Sequence, residues 1–213
     1  MNKKTLGILI PYYKNSEECE NAFKRLMSVL IKQLNDDMIL YVYEDGQVSD
    51  WLNEYEGNKN FKLVQNPTNE GVAYARNCGI NYLIGKVQYI LFIDSDDIVE
   101  ENYLPVMCEY CADNTHEIVE STFYINEQIA GFNPNAIRSG AAGSALKVDI
   151  IGNTRFDEKL QIGEDTKFMN ECIDLSKYRK RKAPTIYIYQ YGINPNSLSK
   201  LYGRKEIGKE RGE

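Results

Sequence analysis

Residues 87–97 read Val-Gln-Tyr-Ile-Leu-Phe-Ile-Asp-Ser-Asp-Asp. An almost unbroken apolar run that ends in carboxylates is the pattern of a strand buried on both faces, with polar groups at its C-terminal end. Three similar runs precede it, at residues 6–10, 38–43 and 61–64. Helical patterns lie between them. Ser16 is placed to cap a helix whose first turn carries Glu17 and Glu18, where carboxylates are favoured. Cys19, Phe23, Leu26, Leu30 and Leu34 then repeat at three- and four-residue spacing, and Asn35-Asp36-Asp37 closes the pattern. A second helix is expected over residues 71–83, stopping at Gly85. Its Ala73, Ala75 and Gly79 permit close approach to a sheet, and a short helix is expected after Asp50. Strand and helix in alternation give an α/β fold with a mixed, mostly parallel sheet flanked by helices. Right-handed crossovers put the C-terminal ends of parallel strands on one edge, where open α/β sheets bind ligands.

Two of those strand ends are acidic. Residues 38–43 run into Glu44-Asp45-Gly46, and the opening stretch runs into Asp94-Ser95-Asp96-Asp97. In extended backbone residues 94 and 96 point the same way. Such a pair suits a hard divalent cation, Mg²⁺ or Mn²⁺, with phosphates and water completing the shell. The plainer reading is that these acids cap the next helix or make Asx turns, and Asp97 is the candidate for that.

Composition narrows the class. The 213 residues are 43% hydrophobic and 26% charged, an ordinary globular profile. A chain this long buries about 70% of its extended surface on folding. The net charge of −6 argues against a nucleic-acid partner held by phosphate contacts. No apolar run approaches the roughly 20 residues of a membrane span. Pro11 and Lys14 cut the first apolar run too short for a signal peptide, so the expectation is a cytoplasmic protein. The five cysteines, an odd number, fit reduced thiols.

The second half is less regular. Helices are expected over residues 103–112 and 164–175, and strands over 118–125 and 185–191. Residues 131–145 form a small-residue loop and 204–213 a charged tail. Cys108-Glu109-Tyr110-Cys111 has no second ligand pair, so packing is the simpler reading than metal or redox chemistry. The lone histidine, His116, reads as a turn residue. The basic run at residues 179–182 reads as a solvated strand start, with a lipid-diphosphate or anionic inner-membrane surface as the alternative. Arg138 and Arg204 are candidates to reach a diphosphate.

Several segments together resemble family 2 glycosyltransferases. Residues 5–15 (Thr-Leu-Gly-Ile-Leu-Ile-Pro-Tyr-Tyr-Lys-Asn) resemble the family's opening strand, and Glu44-Asp45-Gly46 its Asp-Asp-Gly-Ser turn. Asn69-Glu70-Gly71 with Ala75-Arg76-Asn77 resembles its Asn-x-Gly…Ala-Arg-Asn helix start. Asp94-Ser95-Asp96-Asp97 resembles its DxD motif, and Gly163-Glu164-Asp165 the Glu-Asp pair that carries its base. Tyr189-x-Tyr191 with Asn196-Ser197-Leu198-Ser199 resembles its C-terminal edge. The resemblance spans roughly residues 5–200. It implies a single Rossmann-like GT-A domain over residues 1–203, with a nucleotide-binding half (1–97) and an acceptor-binding half (98–203). The implied reaction is inverting transfer of a sugar from a nucleotide-sugar, a UDP-sugar by expectation, to a hydroxyl of a saccharide, lipid-linked or protein acceptor.

In that resemblance Pro11 and Tyr13 line the base pocket, and Asp45 accepts a hydrogen bond from the base. Arg76 lies near the nucleotide, and Asp94 by the ribose and metal. Asp94 and Asp96 hold Mn²⁺ or Mg²⁺, and Asp165 is the general base in a helix's first turn. The sequence departs from the family at Glu44, where Asp is usual, and at Gln47, where Ser or Thr is common. No histidine follows Tyr187 to complete a metal shell. Two other readings stand beside this one. A sugar-nucleotide pyrophosphorylase would carry a Gly-rich phosphate loop where Pro11-Tyr12-Tyr13 stands. A catalytically degenerate relative would bind nucleotide-sugar without turnover.

Overall fold

The computed structural model describes residues 3–126, 128–129, 131, 133, 135–138, 140–160 and 162–190. The chain opens with β1 (Lys4–Tyr12), α1 (Glu17–Gln33) and β2 (Met38–Asp45). A 3-10 helix at Asp50–Tyr55 leads to β3 (Phe61–Asn66), then α2 (Val72–Leu83) and β4 (Val87–Phe92). The second half holds β5 (Ile98–Val99), α3 (Tyr103–Ala112), β6 (Ile118–Ile125) and β7 (Gln128–Ile129). It continues with β8 (Ser144–Lys147), α4 (Val148–Ile151), α5 (Glu164–Cys172) and β9 (Lys180–Tyr189).

One mixed sheet runs in the order β3-β2-β1-β4-β8-β6-β9-β5, with β7 paired to β6. Strands β3, β2, β1 and β4 are all parallel. Strand β8 lies between β4 and β6, antiparallel to both, and β6 and β9 are parallel again. The short strands β5 and β7 are antiparallel to β9 and β6. The expected mixed, mostly parallel α/β sheet is therefore present, and the antiparallel β8 at its centre is one the apolar pattern did not reveal.

Side-chain alternation divides the core in two. Leu6, Ile8 and Ile10 face α1 and α3 with Phe23, Leu26, Leu30 and Met107. Leu9, Ile90 and Phe92 face α2, α4 and α5 with Ile80, Leu83, Phe168 and Met169. Ser16 caps α1, its Oγ accepting from the Cys19 amide at 3.2 Å. Gly79 lets α2 lie against the sheet: a Cβ there would stand 2.5 Å from the Leu9 side chain.

Chain order turns around at β1. Strands β2 and β3 build outward on one side of it, and β4 adds on the other. Such a switch point opens a crevice at the carboxyl ends of the two central strands. Here those ends are Tyr12-Tyr13 and Asp94–Asp97. Four expectations need correction. Backbone 94–97 is a turn with an Asp97 N–H to Asp94 C=O bond of 3.3 Å, not an extended run. Helix α5 ends at Cys172, not residue 175, because Asp174 starts a turn of its own, accepting from the amides of Ser176, Lys177 and Tyr178. Strand β9 begins at Lys180, five positions before the expected 185. Asp97 does not cap a helix: β5 follows it. The expected tail at 204–213, the Asn196–Ser199 segment, Tyr191 and Arg204 lie outside the described residues.

Candidate active site

The end of β2 is organised by its own neighbours. Both Asp45 oxygens accept backbone amides, from Glu70 at 2.9 Å and Gly71 at 2.7 Å. Asn69 accepts the Gly71 amide at 3.0 Å, and Gly71 holds φ +94, which suits glycine. Asn69-Glu70-Gly71 thus fixes the Asp45 carboxylate at the crevice. Glu44 is fully buried and accepts from the Ser49 amide at 2.9 Å, Gln65 Nε2 at 2.8 Å and Gln47 Nε2 at 3.2 Å. The two departures from the family pattern, Glu44 and Gln47, are therefore partners. Half-exposed Tyr13 lies over Gly46, whose φ is +90 and whose absent Cβ would stand 2.8 Å from the ring. Pro11 sits partly buried near the end of β1, opposite Tyr43.

The turn after β4 is pinned from far along the chain. The Tyr187 hydroxyl accepts the Asp94 amide at 3.0 Å and donates to Asp97 Oδ2 at 2.5 Å. Asp97 Oδ1 accepts the Gln190 amide at 2.8 Å. Burial, then the charges of Asp94 and Asp96, hold the Asp97 carboxyl well above the usual carboxylate range. Asp97 and Tyr187 are structural parts of the site that the motif alone does not reveal. Tyr187 lies 93 positions from Asp94 in a strand read as ordinary β-branched and aromatic sequence.

Arg76 brings the two acidic motifs together. From the first turn and a half of α2, its Nη2 donates to Asp94 Oδ1 at 2.9 Å and its Nη1 to Glu164 Oε1 at 2.8 Å. Its guanidinium lies 5.1 Å from the Phe156 ring centroid. The adjoining Asn77 fixes the segment before α5, accepting the Phe156 amide at 2.8 Å and donating to the Phe156 carbonyl at 3.0 Å. Burial works against the Arg76 charge, but Asp94, Glu164 and Asp165 more than offset it and keep the guanidinium protonated.

Asp165 follows in the first turn of α5 and accepts the Thr166 amide at 2.7 Å. The helix N-terminus favours its ionised form. Burial nevertheless pushes both Glu164 and Asp165 above their ordinary values, with Arg76 pulling each back part of the way. A carboxylate raised by burial is a better proton acceptor than a solvated one. Asp94, Arg76, Glu164 and Asp165 thus form one cluster at the switch point.

Among the described residues no three His, Cys, Asp or Glu side chains are grouped as metal ligands. Asp94 gives one oxygen to Arg76, and Asp97 gives both to Tyr187 and Gln190, while Asp96 is half-buried in the same turn. This all-oxygen donor set fits Mg²⁺ or Mn²⁺ taken together with substrate phosphates, the usual arrangement for ions that keep only one or two carboxylates.

The remaining singled-out residues make contacts within the fold. Cys108 and Cys111 are buried in α3, and burial pushes the Cys108 thiol up to about 11. His116 stands in the turn before β6, its carbonyl accepting from the Tyr89 hydroxyl. Arg179, Lys180 and Arg181 pair with Glu117, Glu120 and Asp113 respectively. Arg138 points inward: Nη1 donates to the Ala142 carbonyl at 3.0 Å and Nη2 to the Ser121 carbonyl at 3.1 Å.

A mixed α/β sheet flanked by helices on both faces, with acids at its switch point, has the architecture of the GT-A class. The profile described as "Glycosyl transferase family 2" matches residues 7–183, and the chain belongs to that family. Among curated relatives, poly(ribitol-phosphate) beta-N-acetylglucosaminyltransferase TarP of Staphylococcus aureus is 25% identical, covering 72% of this chain and 46% of its own. The minor teichoic acid biosynthesis proteins GgaB and GgaA of Bacillus subtilis are 26% and 24% identical over 83% and 90% of the chain, and 22% and 48% of theirs. The chain thus spans half or less of these relatives. Among solved structures, S. aureus TarS 1–349 in complex with UDP-GlcNAc superposes with a TM-score of 0.69 at 16% identity, covering 88% of this chain and 59% of that one. GalNAc-T7 with UDP, GalNAc and Mn²⁺ gives 0.65, also at 16% identity, over 88% and 43%. These likenesses show the fold. Among the described residues no helix is long and apolar enough to cross a membrane.

Proposed function

We propose that the chain is the catalytic domain of an inverting glycosyltransferase. It moves a sugar, an N-acetylhexosamine by preference, from a UDP-sugar to a hydroxyl of a saccharide or polyol-phosphate polymer. The observation that carries this reading is the Arg76 bridge, which brings the Asp94 turn and the Glu164-Asp165 helix start to one point. The relatives' names support the hexosamine donor and the polymer acceptor.

In this reading Tyr13 and Pro11 flank the uracil, Asp45 accepts from it, and Asp94 stands by the ribose. Asp94 and Asp96 would hold Mn²⁺ or Mg²⁺ with the diphosphate. When bound, that cation offsets charge on the leaving group. Asp165 takes the proton from the acceptor hydroxyl, which is a poor nucleophile without a base. One carboxylate on the face opposite the leaving group gives a single displacement and inversion at the anomeric carbon. Arg76 keeps Asp165 ionisable despite its burial and holds Glu164 beside it.

The test is thermal stability of the chain with UDP, GDP, TDP and CDP, each with and without Mn²⁺. Binding to the native state must raise stability by mass action. A rise with UDP that Mn²⁺ enlarges, and that Asp96→Ala reduces to its metal-free size, is expected. No rise with any nucleotide overturns the donor site. Full transfer by Asp165→Asn overturns the base.

A further inference from the structure

The base has a backstop in the loop that precedes β8. Among the described residues, a Cβ built on Gly140 would meet Asp165 Oδ2 at 3.0 Å. The loop backbone therefore sits directly against the carboxylate. A side chain at this position would press on the carboxylate.

Described residues on either side of Gly140 are tied to the sheet. The Gly143 amide donates to the Phe92 carbonyl at 2.9 Å, tying the loop to the end of β4. The Gly143 carbonyl accepts from both the Ser121 amide and the Ser121 hydroxyl at 3.1 Å. Arg138 closes the ring by donating to Ala142 and Ser121 carbonyls at once. Its guanidinium lies 4.4 Å from the Phe123 ring centroid, and Glu120 stands 3.6 Å away. Glu120 is itself buried and pairs at 3.0 Å with buried Lys180, which also donates to the Ala136 carbonyl at 2.8 Å. A charged pair this far from solvent is costly unless its geometry is tightly held. These groups act on the loop backbone, not on a ligand.

We propose that Arg138 and Gly140 are positioning residues for the base: the loop they fix is the seat of the Asp165 carboxylate. Arg138 supplies the tie to the sheet and Gly140 the clearance. This rests on Asp165 being the base. It assigns Arg138 a role inside the fold instead of one on the diphosphate.

The test uses the full chain with the variants Gly140→Ala, Arg138→Lys, Asp165→Asn and the double variant Gly140→Ala/Asp165→Asn. UDP release from UDP-N-acetylglucosamine with water as acceptor gives kcat and KM, and crystal structures give the carboxylate position. Gly140→Ala is expected to leave UDP binding and KM unchanged, to lower kcat at least tenfold, and to show the Asp165 carboxylate displaced. In the Asp165→Asn background it should remove nothing further, the signature of an effect that passes through that side chain. Arg138→Lys should lower kcat in the same direction, because one ammonium cannot span both carbonyls. An unmoved carboxylate in Gly140→Ala overturns the seat, as does wild-type kcat in that variant where Asp165→Asn is inactive. A fully active Asp165→Asn overturns the base reading instead. If wild type releases no measurable UDP, the carboxylate position decides alone.

Discussion

The two halves of the sheet satisfy their polar groups by different means. In the parallel half the partners are close in sequence: Glu44 reaches the Ser49 amide five positions away, and Asp45 the amides 25 and 26 positions on. In the mixed half they are remote: Tyr187 reaches back 90 positions to Asp97, and Lys180 60 positions to Glu120. Arg76 belongs to the first half but spends its charge across the boundary, 88 positions from Glu164. The Asp45 end of the site is thus built locally, while the Asp94 turn and the Glu164-Asp165 helix start depend on remote contacts.

Asp165→Asn gives the largest expected effect, with a fall in transfer of about 10²- to 10⁴-fold and an unchanged Mn²⁺-dependent UDP stabilisation. The same variant should raise the melting temperature at neutral pH. The Asp165 carboxyl is raised in the folded state, so its favourable contribution is complete below its unfolded value and is lost as pH rises through the folded one. A neutral amide escapes that loss. A donor-binding defect in Asp165→Asn would erase the distinction between the two sides.

Arg76→Met comes next. It leaves two acidic side chains facing each other at the boundary, one of them buried, and should cost about 3 kcal/mol in denaturant unfolding. Because Arg76 lowers the Asp165 value, the acid limb of the transfer–pH profile should also move to higher pH in any active remnant. An unmoved acid limb would separate Arg76 from the base. Asp45→Ala orphans two amides and should cost about 1–3 kcal/mol, weakening UDP binding while leaving the acid limb in place. Tyr187→Phe is the mildest, about 1 kcal/mol in stability, with the metal-dependent part of the UDP response reduced.

The same contrast explains what the sequence disclosed. Strands β1, β2 and β4 and helix α1 announce themselves through periodic apolar residues and a local cap at Ser16. The Asp45, Asp94 and Asp165 motifs sit at element ends that such patterns locate. Strand β8 does not, because Ser144–Lys147 is four residues of weak pattern inside a small-residue loop. The start of β9 is hidden by Lys180, a strand residue whose charge is buried against Glu120. The roles of Tyr187 and Gly140 exist only once distant segments meet, and no local spacing encodes them.

The Arg76–Glu164 tie also imposes an order on synthesis. A chain made N-terminus first can complete the Asp45 turn as soon as residue 71 is free, since its partners are already at hand. Arg76 must wait for residue 164, and closing so long a loop carries an entropic cost that the adjoining Asn77–Phe156 bonds help to offset. Until then a guanidinium meant for the interior has only Asp94 as counter-charge, and the crevice between β1 and β4 is expected to stay loose. A nascent chain in that state would have the Asp45 turn in place before the Asp94 turn and the Glu164-Asp165 helix start are tied together.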